Sequence, residues 1–166
     1  MTDPGAGTPA LTHTDRSGAA RMVDVGDKPV SDRTAVATGV VRTTAEVVGL
    51  VAADGLPKGD ALATARIAGI LGAKRTSDLV PLCHPLPLSA VRVELEPAGS
   101  EIRIRATVRT TGRTGVEMEA LTAVAVAGLT MHDMIKAVDP AAVLDAVRVE
   151  TKDGGKTGSW SRPADR

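Results

Sequence analysis

Rings are nearly missing from this chain: it has no Phe, no Tyr and a single Trp160. Proteins that grip single-stranded nucleic acid stack bases on aromatic side chains, and that mode is excluded here. Charge of one sign is missing too, since Lys plus Arg and Asp plus Glu both number 20. A general electrostatic hold on DNA or RNA is therefore not expected, although local patches survive any such sum. Cysteine is limited to Cys83, which rules out an intrachain disulfide and a multi-thiolate zinc cluster. No apolar run approaches the ~20 residues that span a bilayer. The first ten residues carry no basic stretch followed by an apolar one, so no secretory signal is read. These absences point to a soluble protein of a reducing, cytoplasmic setting, with no nucleic-acid or membrane partner.

What is present is ordinary for a globular domain: 43% hydrophobic and 24% charged residues over 166 positions, enough to bury one core. Residues 1–10 are Gly, Pro, Thr and Asp without periodicity and read as a disordered arm, 11–160 as a single domain, and 161–166 as a flexible tail. TAVATGVVR, residues 34–42, reads as a strand. A short helix follows over 43–55 with a Thr cap and a stop at Gly55. A second covers 61–75, with Asp60 as N-cap, Lys74 and Arg75 in its last turn, and Gly69 and Gly72 marking close approach to another backbone. VPLCHPLPL at 80–88 holds three prolines and is neither helix nor central strand. SAVRVELEP and EIRIRATVRTT form a hairpin about Ala98-Gly99-Ser100, with Val, Leu and Ile inward. A long helix over about 115–138 and a last strand over 146–152 complete an α+β domain, an antiparallel sheet with helices packed on one face.

The chemistry-bearing groups each have a plain and a functional reading. GGKTG at 154–158 fails as a phosphate-binding loop of the Walker type, because the required first glycine is Glu150 and no helix follows the lysine. Lys152 and Lys156 among glycines still offer ammonium charge and backbone N–H groups to a phosphate; the plain reading is a solvated tail. Cys83 and His84 are adjacent and point apart on extended backbone, so they do not chelate together. His13 and His132 stand at no ligand spacing from another candidate, and no metal site is read. His84 in a rigid Pro-rich loop suits acid–base work or substrate binding, or is a satisfied structural histidine. Glu117 and Glu119 open an almost wholly apolar helix, as dipole-favoured caps or as functional acids. Asp133 and Lys136, three apart, share a helix face as an ion pair or as part of a site.

Taken together, LTH at 11–13, MVDV at 22–25, KGDALATARIAGILGAKRTSDLVPLCHPL at 58–86, TGVEMEALTAV at 114–124, MIKAVD at 134–139 and GGKTG closely resemble the cyclic pyranopterin monophosphate synthases, the molybdenum-cofactor biosynthesis protein C family. The resemblance implies a lyase that converts 3′,8-cyclo-7,8-dihydroguanosine 5′-triphosphate, supplied by an upstream radical enzyme, into cyclic pyranopterin monophosphate and pyrophosphate. It implies a ferredoxin-like fold, assembly as a homohexamer of three dimers, and no metal or redox cofactor. The family's catalytic positions fall on Lys58, Asp133 and Lys136. Its substrate contacts fall on Leu82, Cys83 and His84 and on Met118 and Glu119, and another functional position on Glu117; apart from the resemblance, Lys152 and Lys156 are read as substrate-binding through the phosphates. The competing class is a non-catalytic nucleotide- or pterin-binding oligomer, for which a full acid–base set has no use. Glu119 and Asp133 are fourteen residues apart on one helix, roughly 21 Å along its axis at 1.5 Å per residue. One rigid helix cannot bring both to a reacting centre, so sites at subunit interfaces are expected.

Overall fold

A computed structural model describes residues 18–56, 58–156 and 158–164. The arm expected over 1–10, and with it His13, lies outside the described residues. The elements run β1 (Ser31–Arg42), α1 (Ala45–Ala52), α2 (Ala61–Lys74), α3 (Thr76–Leu79), β2 (Leu88–Ala98), β3 (Glu101–Gly112), α4 (Glu117–Ile135), β4 (Val143–Asp153) and β5 (Trp160–Ser161). Every strand pairing is antiparallel, in the order β2-β3-β1-β4-β5. With α2 crossing between β1 and β2 and α4 between β3 and β4, the arrangement is ferredoxin-like, with β5 added at one edge.

The local reasons are legible. Asp60 caps α2 by accepting from the Ala63 N–H at 2.8 Å, and Thr44 caps α1 by accepting from Val47. The α1 helix closes with Gly55 N–H donating to Leu50 O at 2.8 Å, but the left-handed residue is Asp54 (φ +52°), one position before the expected stop. In β3 the alternation is strict: Ile102, Ile104, Ala106 and Val108 are buried, while Arg103, Arg105 and Arg109 are exposed. The buried row meets α4 through Ala120, Ala123, Val124, Ala127 and Met131. With no Phe or Tyr to fill space, the layers close by bringing backbones together. A Cβ on Gly69 would lie 2.8 Å from the Ala123 carbonyl, so α2 touches the backbone of α4.

Beyond the turn at Asp54 and the short α3, three more features differ from the sequence expectation. β1 begins at Ser31 and β4 at Val143, each three residues early, because the ladder carries on past the alternating stretch: Ser31 faces Gly112 and Val143 faces Arg42. The chain after the glycine loop returns as β5, with Thr151 opposite Ser161 and Lys152 opposite Trp160. The tail expected from residue 161 thus begins inside a strand, and the Arg162 N–H donates to Glu150 O at 2.8 Å. Finally, β4 is bulged twice: Val36 faces Thr151 but Ala37 faces Val149, leaving Glu150 as an extra residue, and Thr38 faces Arg148 while Val40 faces Asp145, leaving a second. A one-residue insertion reverses the side-chain alternation beyond it. Lys152, opposite the buried Ala35, therefore points to the helix side.

Candidate active site

The N-terminal turn of α4 separates its two acids. Glu119 is buried, at 4% exposure, whereas Glu117 is half-buried and lies 3.7 Å from the Lys152 ammonium. Burial pushes the Glu119 carboxyl above its ordinary 4.5, and the neighbouring Glu117 charge adds to the rise against a backbone hydrogen bond. Facing this turn is the proline-rich loop between α3 and β2, pinned by Cys83 N–H to Val80 O (3.0 Å) and by the Thr110 hydroxyl donating to Pro87 O (2.7 Å). Loop and turn enclose a cavity of about 530 Å³ that gathers Leu82, Cys83, His84, Glu117, Met118 and Glu119, with Val23 and Val25 from the segment before β1. Burial, then the Glu119 charge, raises the Cys83 thiol. A thiol raised from its ordinary 9.0 stays protonated at neutral pH, so Cys83 is not an activated nucleophile.

A second cavity of about 620 Å³ adjoins the first, sharing Lys28, Thr114, Gly115 and Glu117 with it. Its character is opposite. Arg33, Arg113, Lys152 and Lys156 join Lys28 on its walls, against the acids Glu117 and Asp153. Arg33 is aimed by its Nε donating to Gly112 O at 3.0 Å, and Arg113 donates to Gly26 O. Gly154 and Gly155 take φ of +95° and +75°, and a side chain on either would strike Asp32 O or the Arg33 guanidinium. Both conditions require glycine. Acid-lined, partly apolar space therefore opens directly into strongly basic space.

The remaining expected residues stand elsewhere. Lys58, just before α2, donates to Asp133 Oδ2 and to Asp133 O, both at 2.8 Å, and Lys136 Nζ lies 2.7 Å from Asp133 Oδ1. Hydrogen bonds from Lys136 and Lys58 and their charges hold the Asp133 carboxyl down at about 2. All three side chains are about half exposed, so the cluster contributes little to stability. It is a fixed carboxylate between two ammonium groups at the C-terminal end of α4. Because α4 is one continuous helix from Glu117 to Ile135, Glu119 and Asp133 are about 21 Å apart along its axis. Among the described residues no group of three His, Cys, Asp or Glu side chains is placed to hold a metal ion. Lys28, Arg33 and Arg113 escaped the sequence reading. Scattered cations carry no spacing signal, and only the fold collects them.

A family model described as the MoaC family matches residues 22–155. The chain belongs to the MoaC family. It is 61% identical over 152 residues to cyclic pyranopterin monophosphate synthase 2 of Mycobacterium tuberculosis, covering 92% of this chain and 91% of that protein. It is 64% identical over 152 residues to the cyclic pyranopterin monophosphate synthase of Streptomyces coelicolor, covering 92% and 89%. The corresponding protein of Nocardioides sp. is 62% identical over 156 residues, covering 92% and 96%. Within this MoaC-family chain, the matched span holds the whole of both cavities' expected residues up to Gly155, and the Lys58–Asp133–Lys136 cluster as well. Lys156, Trp160 and Arg162 fall just beyond it. No helix among the described residues is long and apolar enough to cross a membrane.

Proposed function

We infer that this chain is a cyclic pyranopterin monophosphate synthase of molybdenum cofactor biosynthesis, converting 3′,8-cyclo-7,8-dihydroguanosine 5′-triphosphate to cyclic pyranopterin monophosphate and pyrophosphate. The observation that carries the mechanism is the adjoining pair of cavities, one acidic and partly apolar, the other basic. The ring system takes the first. With no Phe or Tyr in the chain it packs on Leu82 and Met118, while Glu119 and His84 bond its polar edge. Burial raises the Glu119 carboxyl, so it holds a proton more readily than an exposed glutamate and suits proton exchange with the ring edge.

The triphosphate takes the second cavity, where Lys28, Arg33, Arg113, Lys152 and Lys156 offset its charge. In ring closure a sugar hydroxyl loses its proton to a base in the site, its oxygen bonds to the α-phosphorus, and the bond from that phosphorus to the α–β bridging oxygen breaks, releasing pyrophosphate. Negative charge then accumulates on departing pyrophosphate, where fixed cations stabilise it without reorganising. Asp133, the catalytic aspartate, stays ionised between Lys58 and Lys136 and orients their ammonium groups, and the three act together in the proton transfers of the rearrangement. Since Glu119 and Asp133 of one chain are about 21 Å apart on a rigid helix, the working site joins the cavities of one subunit to the Asp133 cluster of another. A site shared in this way requires an oligomer, which the family resemblance makes a hexamer of three dimers, working in the cytoplasm.

Pyrophosphate release on adding the cyclic triphosphate to the purified protein tests the activity, with the pterin product followed in parallel. Binding without release would establish the non-catalytic class instead.

A further inference from the structure

The Glu150 bulge in β4 decides which way Lys152 points; Thr38 and Arg148 hold the Glu150 side chain, and Arg162, beyond the family-matched span, holds the backbone of the bulge. Glu150 is the inserted residue, and its carbonyl accepts from the Arg162 backbone N–H at 2.8 Å. The preceding carbonyl, Val149 O, accepts from Arg162 Nε at 2.8 Å. Both carbonyls of the distorted step are thus satisfied by one residue. The Glu150 carboxylate lies 3.9 Å from the same Nε. Arg162 is itself backed by Trp160, whose ring centroid is 5.8 Å from the guanidinium carbon. Trp160 also sits directly opposite Lys152 in the β4–β5 ladder.

A bulge left with unpaired carbonyls relaxes toward regular pairing, and regular pairing turns Lys152 to the open face of the sheet. We propose that Arg162, supported by Trp160, is a positioning residue for Lys152: it pins the Val149–Glu150 bulge that directs the Lys152 ammonium into the basic cavity. Arg162 is not among the residues lining that cavity, so it acts through Lys152 and not on the ligand. The inference rests on the reading of the basic cavity as a polyphosphate site.

The test is a double-mutant cycle read by calorimetric binding of inorganic tripolyphosphate to the full-length protein. Lys152→Met and Arg162→Ala are each expected to weaken binding by about tenfold, the scale of one lost bond to a charged group. The double variant is expected to bind no worse than Lys152→Met alone, because the two act as one unit. Trp160→Ala should fall partway toward Arg162→Ala, and Trp160→Phe should restore wild-type affinity. In turnover, Arg162→Ala should raise KM with kcat within about twofold. Should Arg162→Ala not fold, Arg162→Gln takes its place in the cycle. Multiplicative losses in the double variant overturn the proposal, as does wild-type affinity in the Arg162 variant. If the wild-type protein does not bind tripolyphosphate, the proposal and the phosphate reading fall together. Absence of turnover with tripolyphosphate binding intact counts against the reaction alone and leaves the cycle decisive.

Discussion

Mixing two dead variants asks whether one chain can hold a complete site. Glu119→Gln removes the buried acid of the first cavity, and Asp133→Asn removes the carboxylate between Lys58 and Lys136. Fourteen residues of unbroken α4 separate them by about 21 Å, with an angular offset of only about 40° at 100° per residue. They share a face of the helix and not a location, and α4 begins at Glu117, so no unwound turn shortens the gap. If the site draws Glu119 from one chain and Asp133 from another, each homogeneous variant is inactive. After random exchange in an equal mixture, half the donors of Glu119 and half the donors of Asp133 are intact, so about a quarter of sites are whole. The assay is pyrophosphate release before and after exchange, with exchange itself followed by native mass spectrometry of a tagged variant. Recovery of about one quarter of the wild-type rate is expected. No recovery after demonstrated exchange would show that each chain carries its own complete site and would refute the distance reasoning.

Lys58→Met and Lys136→Met should each lower turnover by roughly a hundredfold or more, while the melting temperature moves little, since exposed ion pairs contribute about 0–1 kcal/mol. In either variant the Asp133 carboxyl, now held at about 2, should titrate closer to its ordinary 3.8 by NMR. Glu119→Gln should be more stable than the parent at pH 8. A carboxyl raised by burial binds more protons folded than unfolded, so its penalty grows as pH rises above its ordinary 4.5; melting curves should converge toward that pH, and a gap that widens in acid would contradict the assignment. Gly69→Ala should destabilise by about 1–3 kcal/mol through its clash with the Ala123 carbonyl, whereas Gly49→Ala, with nothing within 4 Å, should stabilise by about 0.5–1 kcal/mol; chemical denaturation separates the two.

Short-range rules accounted for the elements that those rules control. The Asp60 cap, the β3 alternation from Ile102 to Val108 and the turn at Gly99 (φ +59°) are each written within a few residues, so their outcomes were readable from the chain. The approach of Gly69 to a second helix was readable as well, because only a missing side chain permits it. What the sequence could not state was which groups meet. Lys58 and Asp133 are 75 positions apart, and Arg33 and Gly112 are 79 apart; only the β1–β3 pairing and the packing of α2 on α4 bring such groups together. The same holds for Lys152, whose direction depends on one inserted residue in β4 and on a two-residue strand too short to leave a pattern. Residue types and local shapes were set by nearest neighbours along the chain. The merging of an acidic cavity with a basic one was set by strand register and helix packing, which are properties of the assembled fold.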